Sequence, residues 1–212
     1  MIPKIIDKLN SKRPTAEWIQ HHSRVPYLSL DIQVPTEQIM EEWHTVAGQS
    51  VAHRPTDRVM SETHRGWRSL TLHGVSPTMT EQSDQPHRWT EIGHACPMTR
   101  EFLEREFTID TNTSRIRFML LAPGGYILPH HDYEEPRLTA VNIAISNPSG
   151  AEFRMMNHGI VPFSTGKVIM LDLSHDHWVI NDSDQPRLHI IFHGDVPAET
   201  IERSYANSRY RD

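Results

Sequence analysis

From Arg115 to His193 the chain reads RIRFMLLAPGGYILPHHDYEEPRLTAVNIAISNPSGAEFRMMNHGIVPFSTGKVIMLDLSHDHWVINDSDQPRLHIIFH. Seven short runs in it are rich in branched and aromatic residues: RIRFMLL, GGYILPH, RLTAVNIAI, AEFRMM, KVIMLDL, HWVIN and PRLHIIFH. The residues between them, PGG, EEP, SNPSG, FSTG and NDSDQP, are ones that turn a chain, by positive φ, by fixed φ or by side-chain bonds to the backbone. Strands this short and closely spaced, with no long helical pattern between them, predict a β-sandwich or barrel and argue against a parallel α/β sheet. An eight-stranded jelly roll needs one more strand, which the N-terminal half is expected to supply. In the last run, alternation places Arg187, His189, Ile191 and His193 on one face and Leu188, Ile190 and Phe192 on the other.

Upstream the texture is mixed. PTEQIMEEWHTVA puts Ile39, Met40, Trp43 and Val46 on one helical face, with Thr36 as the expected N-cap. PMTREFLEREF starts on Pro97 and offers Met98, Phe102 and Leu103 as its buried stripe. RGWRSLTLHG is strand-like, but which of its faces is buried stays open. His73 to Arg88, rich in Ser, Pro, Thr, Gln and Asp, reads as an exposed loop. His21, His22, His53, His64, His87 and His94 lie in polar stretches and are expected at the surface or in caps.

Composition narrows the function. A net charge of −6 with no Lys/Arg run argues against nucleic-acid and anionic-membrane partners. The one cysteine, Cys96, excludes an internal disulfide framework and a multi-cysteine zinc site. No apolar run reaches the ~20 residues a membrane helix needs. The opening MIPKIIDKLNSKRP carries charges where a signal peptide needs an unbroken apolar stretch, so a cytoplasmic protein is expected.

Fifteen histidines are the compositional oddity. His130 and Asp132 are two residues apart at the end of a β-run, so on a strand they face the same way. A third donor must come from another strand, and LDLSHDHWVIN offers His175 and His177. Two histidines and one carboxylate with coordination positions left open is the donor set of non-haem Fe(II) oxygenases. Taken alone, a His-x-Asp pair more often caps a turn than binds a metal.

Pro123-Gly124, then Pro129-His130-His131-Asp132, then His177 with Asn181, and Arg187 ten residues after His177 form a set. In this set the chain resembles the aspartyl/asparaginyl β-hydroxylase family. Because it keeps Asp132, it resembles most the related proline-hydroxylase-like oxygenases with the His-x-Asp…His triad. The resemblance covers about 115–193; upstream it is limited to Trp67 and the Cys96-Pro97 helix start. It implies a double-stranded β-helix (jelly roll, cupin-like) in a mainly β protein with flanking helices. It further implies one oxygenase domain over 1–212, with 1–110 as a mixed N-terminal elaboration and 115–193 as the core. It implies a dioxygenase using Fe(II), 2-oxoglutarate and O₂, with His130, Asp132 and His177 as the catalytic metal ligands. Arg187 then grips the distal carboxylate of 2-oxoglutarate; the bland alternative is a salt bridge. The family commonly carries a second Arg nine residues after the first His, where this chain has Thr139, with Arg137 nearby.

Asn142 and His189 are further candidates for contact with the co-substrate, each equally readable as a satisfied buried polar group. His131 should point away from a metal, and Trp178 reads as packing. Arg117 and Arg154 are candidates for a substrate carboxylate, although outward, solvated positions are the plainer expectation for both. The expected substrate is an amino acid or small derivative hydroxylated at an aliphatic carbon. The alternative is an Asp, Asn or Pro side chain in a peptide or protein. Readings from other classes are a cupin-like isomerase or hydrolase using Zn²⁺, Mn²⁺ or Ni²⁺, and a non-catalytic binding sandwich.

Overall fold

The computed structural model describes residues 25–53, 64–80, 85–111, 113–132 and 140–206. Its strands are β1 (Tyr27–Leu30), β2 (Val51–Ala52), β3 (His64–Gly74), β4 (Arg88–Trp89), β5 (Arg115–His130), β6 (Ala140–Ser146), β7 (Ala151–Met155), β8 (Gly159–Val161), β9 (Val168–Leu171), β10 (His177–Asn181) and β11 (Arg187–His193). Its α-helices are α1 (Thr36–Val46), α2 (Glu91–Ala95), α3 (Pro97–Glu106) and α4 (Ala198–Ala206). No described helix is long and apolar enough to cross a membrane.

The register explains the architecture. The first half of β5, Arg115 to Leu121, pairs with β11, while Tyr126, Ile127 and His130 pair with β10. β6 lies between β11 and β9, and β7 lies between β10 and β8. Two four-stranded layers result, β9-β6-β11-β5 and β5-β10-β7-β8, joined by β5 itself. This is a double-stranded β-helix. β1 extends the first layer beside β9, and β3 lies along β5.

The turn-forming separators therefore do two jobs. PGG, SNPSG, FSTG and NDSDQP are corners where the chain passes between layers. The Asn157-His158-Gly159 turn, with Asn157 at φ 64, closes a hairpin instead, between the paired strands β7 and β8. RIRFMLL and GGYILPH prove to be one strand, because the corner between them keeps pairing as it bends. Gly124 has φ 66. A Cβ at Gly125 would lie 2.7 Å from the Ala122 carbonyl oxygen and 2.9 Å from that of Arg65, so only glycine lets β3 and β5 turn together here. The eighth strand comes from within the β-region, as the short β8, and not from the N-terminal half. Three residues that begin on an exposed glycine give no period-2 signal.

Alternation divides the core in two. Leu188, Ile190, Phe192, Ile116, Phe118, Val141, Ile143, Val168 and Met170 face Ile39 and Trp43 of α1, Phe102 and Leu103 of α3, and Ile201 of α4. The Trp43 and Phe118 rings lie 5.1 Å apart. The opposite cluster, between the layers, includes Leu121, Ile127, Phe153, Val161, Ile169, Leu171 and Val179. β3 settles its open faces the same way: Leu70 and Leu72 join the helix-side core, leaving Ser69, Thr71 and His73 on the interior side, all buried.

Several local expectations are corrected. Thr36 is the first helical residue of α1, with Pro35 at the cap position and no side-chain cap. Met98 is 45% exposed and Thr99 is buried instead. The Glu42 carboxylate caps α3 from α1, accepting from Met98 N at 2.7 Å, Thr99 N at 2.9 Å and Thr99 Oγ1 at 2.6 Å, which turns Thr99 inward. His53 and His87 are buried rather than superficial. His53 places Nδ1 3.0 Å from Ser69 Oγ with its ring against Trp67, and His87 donates from Nδ1 to the Ser114 carbonyl at 2.8 Å. Met79 is likewise buried, so the segment after β3 folds back on the sheet: Thr71 donates to the carbonyls of Pro77 (N, 2.8 Å) and Met79 (Oγ1, 3.1 Å).

Candidate metal centre

His130 closes β5 and His177 opens β10, and antiparallel pairing sets them directly opposite each other. The register slips between His177 and Val179, where β5 carries an extra residue. Pro129 lies in that slip; it has no N–H to give to the ladder, so a bulge costs little there. The imidazole centroids are 4.4 Å apart. One ligand atom each from His130, Asp132 and His177 lie within 4.8 Å of one another, the one such group of three among the described residues. Asp132 is held by its own N–H, which donates to the Leu173 carbonyl at 3.0 Å, so the loop after β5 is tied to the loop after β9.

Both histidines are oriented by the same local bond. His130 Nδ1 donates to the Leu128 carbonyl at 2.8 Å, and His177 Nδ1 to the His175 carbonyl at 2.9 Å. A carbonyl only accepts, so each Nδ1 carries the proton and each Nε2 presents a lone pair, the state a metal ligand needs. The His177 ring stacks on Phe153, centroids 5.3 Å apart and nearly parallel. Burial pushes the His177 imidazolium down, with the Asp132 charge opposing, which favours the neutral ligand form. The donor set and tautomers fit a divalent transition metal.

His175 stands outside this group. Its Nε2 is 3.7 Å from Asp172 Oδ2 and its ring meets His158 edge-on at 5.3 Å. The buried Asp172 makes that turn by accepting from Ser174 N and Oγ. His131 points away, with Nδ1 3.0 Å from Asp176 Oδ1.

Arg187 and His189 lie on the interior face of β11, both buried. Arg187 Nε donates to Asn147 Oδ1 at 3.2 Å, and Arg187 NH2 donates to His189 Nδ1 at 3.1 Å. His189 Nε2 in turn donates to Asn147 Oδ1 at 3.1 Å. No carboxylate among the described residues pairs with Arg187. With nothing to offset burial, its pKa is pushed down to about 9, which still leaves it charged at neutral pH. The Phe163 ring lies 5.9 Å from the guanidinium, 4.9 Å from His189 and 5.9 Å from Phe153. An unbroken aromatic wall, Phe153 and Phe163, thus connects His177 to Arg187.

Asn181 is fully buried and positions the last corner. Its Nδ2 donates to the carbonyls of Leu121 at 3.0 Å, Ala122 at 3.2 Å and Gln185 at 2.9 Å, while Oδ1 accepts from Ser183. Asn142 is buried on β6 between Ile191 and Ile169 of its neighbours; the amide that meets Arg187 and His189 is instead Asn147, five residues on. Arg137 lies outside the described residues. Arg117 is buried, against the plainer expectation, because its neighbours Ile116 and Phe118 take the helix-side core. Arg154 does face outward, paired with Glu152. The sequence reading missed Asn147, Phe153 and Phe163, which lie in a turn motif, an ordinary strand and a loop.

Three buried histidines outside the metal group carry depressed pKa values. Burial dominates at His73, at His189 (reinforced by Arg187) and at His193 (reinforced by Arg115 and Arg117). Folded, they stay neutral; unfolded, they take protons below about pH 6.5. The unfolded chain then binds more protons, so stability falls as pH drops below that value. The urea midpoint is expected to be lower at pH 5.5 than at pH 7.5; equal midpoints would contradict this.

The comparisons agree with this geometry. In fold, the chain is similar to a Pseudomonas putida prolyl-4-hydroxylase (TM-score 0.50, 16% identity, covering 93% of this chain and 100% of that one). It is also similar to a 2OG-Fe(II) oxygenase-family oxidoreductase from Burkholderia pseudomallei (TM-score 0.54, 13% identity, 89% and 88% covered). A third similar structure is the non-haem α-ketoglutarate-dependent epimerase SnoN from nogalamycin biosynthesis (TM-score 0.53, 12% identity, 91% and 84% covered). No curated protein matches the sequence significantly. The family model described as aspartyl/asparaginyl β-hydroxylase matches residues 34–197, a span that includes the motif region and begins well upstream of it. With the match spanning helices, both β-layers and the His130-Asp132-His177 group, the chain belongs to the aspartyl/asparaginyl β-hydroxylase family.

Proposed function

We propose that the chain is an Fe(II)- and 2-oxoglutarate-dependent dioxygenase, built as one oxygenase domain, that hydroxylates an aliphatic carbon of an amino acid or small amino-acid derivative. The observation that carries this is Arg187: a buried cation without a carboxylate partner among the described residues, on the same aromatic wall as the His130-Asp132-His177 group. A buried charge needs a counter-ion, and a planar guanidinium suits a carboxylate bidentately. A dicarboxylate that chelates a metal through its keto end supplies one.

In this reading His130 and His177 give Nε2 lone pairs and Asp132 gives a negative charge to the metal. Arg187 holds the distal carboxylate, and Phe153 and Phe163 keep water from the space between. The bound iron and co-substrate would supply O₂ activation coupled to oxidative decarboxylation. The substrate end is read from the other layer. His193 and Arg115 pair beside Ala140, at the end of the sheet from which the loops to the metal ligands leave. Arg115 and Arg117 place two guanidinium groups on this buried wall beside the neutral His193, which supports a substrate bearing a carboxylate. The family match favours a second reading, an Asp or Asn side chain within a peptide.

The test is succinate formation from 2-oxoglutarate, dependent on Fe(II) and O₂, screened against free amino acids and against peptides containing Asp, Asn or Pro. Stimulation by free amino acids supports the first substrate reading, and stimulation by peptides alone supports the second. No Fe(II)-dependent turnover with any of them would sink the dioxygenase assignment.

A further inference from the structure

We propose that Asn147 is the positioning residue of the co-substrate pocket: it sets the tautomer of His189 and orients the Arg187 guanidinium so that its end-on edge is left for a carboxylate. The inference rests on the dioxygenase reading above, and its chemistry follows from which atoms can donate. A guanidinium has donors and no acceptor, so His189 Nδ1, 3.1 Å from Arg187 NH2, must accept. A neutral imidazole with Nδ1 accepting carries its proton on Nε2, which therefore donates to Asn147 Oδ1 at 3.1 Å. Asn147 Oδ1 also takes the Arg187 Nε–H at 3.2 Å. The amide cannot be reversed, because its Nδ2 donates to two carbonyls, Ala151 at 3.2 Å and Phe163 at 3.5 Å.

Asn147 reaches this position through the corners of the fold. Its backbone N–H donates to Thr165 Oγ1 at 3.1 Å, so the β6–β7 corner is held against the β8–β9 corner, and its side chain meets the start of β11. Arg187 spends its lateral edge, Nε and one N–H of NH2, on Asn147 and His189. Of the three remaining N–H groups, two lie on the NH1/NH2 edge, the fork that grips a carboxylate with two parallel bonds. An amide is required for this job. Aspartate would lose the donors to Ala151 and Phe163, and would hand Arg187 the counter-ion that the co-substrate supplies.

The experiment compares wild type, Asn147→Ala, Asn147→Asp, Arg187→Ala and the Asn147→Ala/Arg187→Ala double variant, each loaded with Mn(II) and titrated calorimetrically. The probes are 2-oxoglutarate and 2-oxopentanoate, which shares the chelating keto-acid end and lacks the distal carboxylate. Asn147→Ala is expected to weaken 2-oxoglutarate about tenfold, the cost of one lost hydrogen bond to a charged group, and to leave 2-oxopentanoate unchanged. Asn147→Asp is expected to weaken 2-oxoglutarate further still, again with 2-oxopentanoate unchanged. In the Arg187→Ala background, Asn147→Ala should add nothing. Unchanged 2-oxoglutarate affinity in both Asn147 variants overturns the proposal, and so does an equal loss for both keto acids, which is what a merely structural role gives. If Arg187→Ala itself leaves 2-oxoglutarate unaffected, the failure lies in the pocket assignment beneath it.

Discussion

Replacing His177 with alanine is expected to abolish tight Fe(II) binding, while His175→Ala leaves most of it. Loss of a ligand's outer hydrogen-bond partner alone typically costs about 10–100-fold in metal affinity, so loss of the ligand itself should exceed that. The two histidines differ by two positions and face opposite settings. His177 is buried against Phe153 with Nε2 presented to His130 and Asp132, whereas His175 meets Asp172 and His158. His177→Ala also removes a ring stacked on Phe153, so His177→Phe is the companion variant: it keeps a ring there and removes the donor. Equilibrium metal titration of the three variants decides the matter. Retained affinity in both His177 variants, with loss in His175→Ala, would place the distal ligand two residues earlier.

The second large effect concerns Arg187. Its fork can make two charge-assisted bonds to a carboxylate, each contributing roughly 1.5–3 kcal/mol, so Arg187→Ala should weaken 2-oxoglutarate by about a hundredfold or more. Arg187→Lys keeps the charge and loses the planar fork, and should fall between. Metal affinity should survive in both, since Arg187 contacts Asn147, His189 and Phe163 and no member of the metal group. The apparent 2-oxoglutarate affinity of the Fe(II) protein is the measurement. An unchanged value in Arg187→Ala would move the carboxylate anchor elsewhere, with Arg137 the next residue to replace.

Much of this architecture was legible because it is written locally. Alternation along PRLHIIFH separated Leu188, Ile190 and Phe192 from Arg187, His189 and His193, and the structure keeps that division, with the first three in the helix-side core. The His-x-Asp spacing at the end of β5 predicted two donors on one side, and the turn residues marked the corners at PGG, SNPSG, FSTG and NDSDQP. The misses share one cause. Thr36 and Met98 were assigned by helical pattern alone, and a carboxylate from another helix, Glu42, decided which residue of α3 turned inward. Arg117 looked solvated because its sequence gives no sign that both faces of β5 are covered.

The sequence by itself determined the strand-and-corner rhythm and the donor types, each written in residues within a few positions of one another, while the motif set from Pro123 to Arg187 carried the family resemblance. Tertiary structure decided the rest. It set His177, and not His175, opposite His130 by cross-strand register, and it brought Asn147 to Arg187 and His189 across 40 and 42 residues. It also laid Phe153 and Phe163 between the metal group and the buried cation. Such contacts are made where corners of different strands meet, and no periodicity in a single strand records which corner will lie against which.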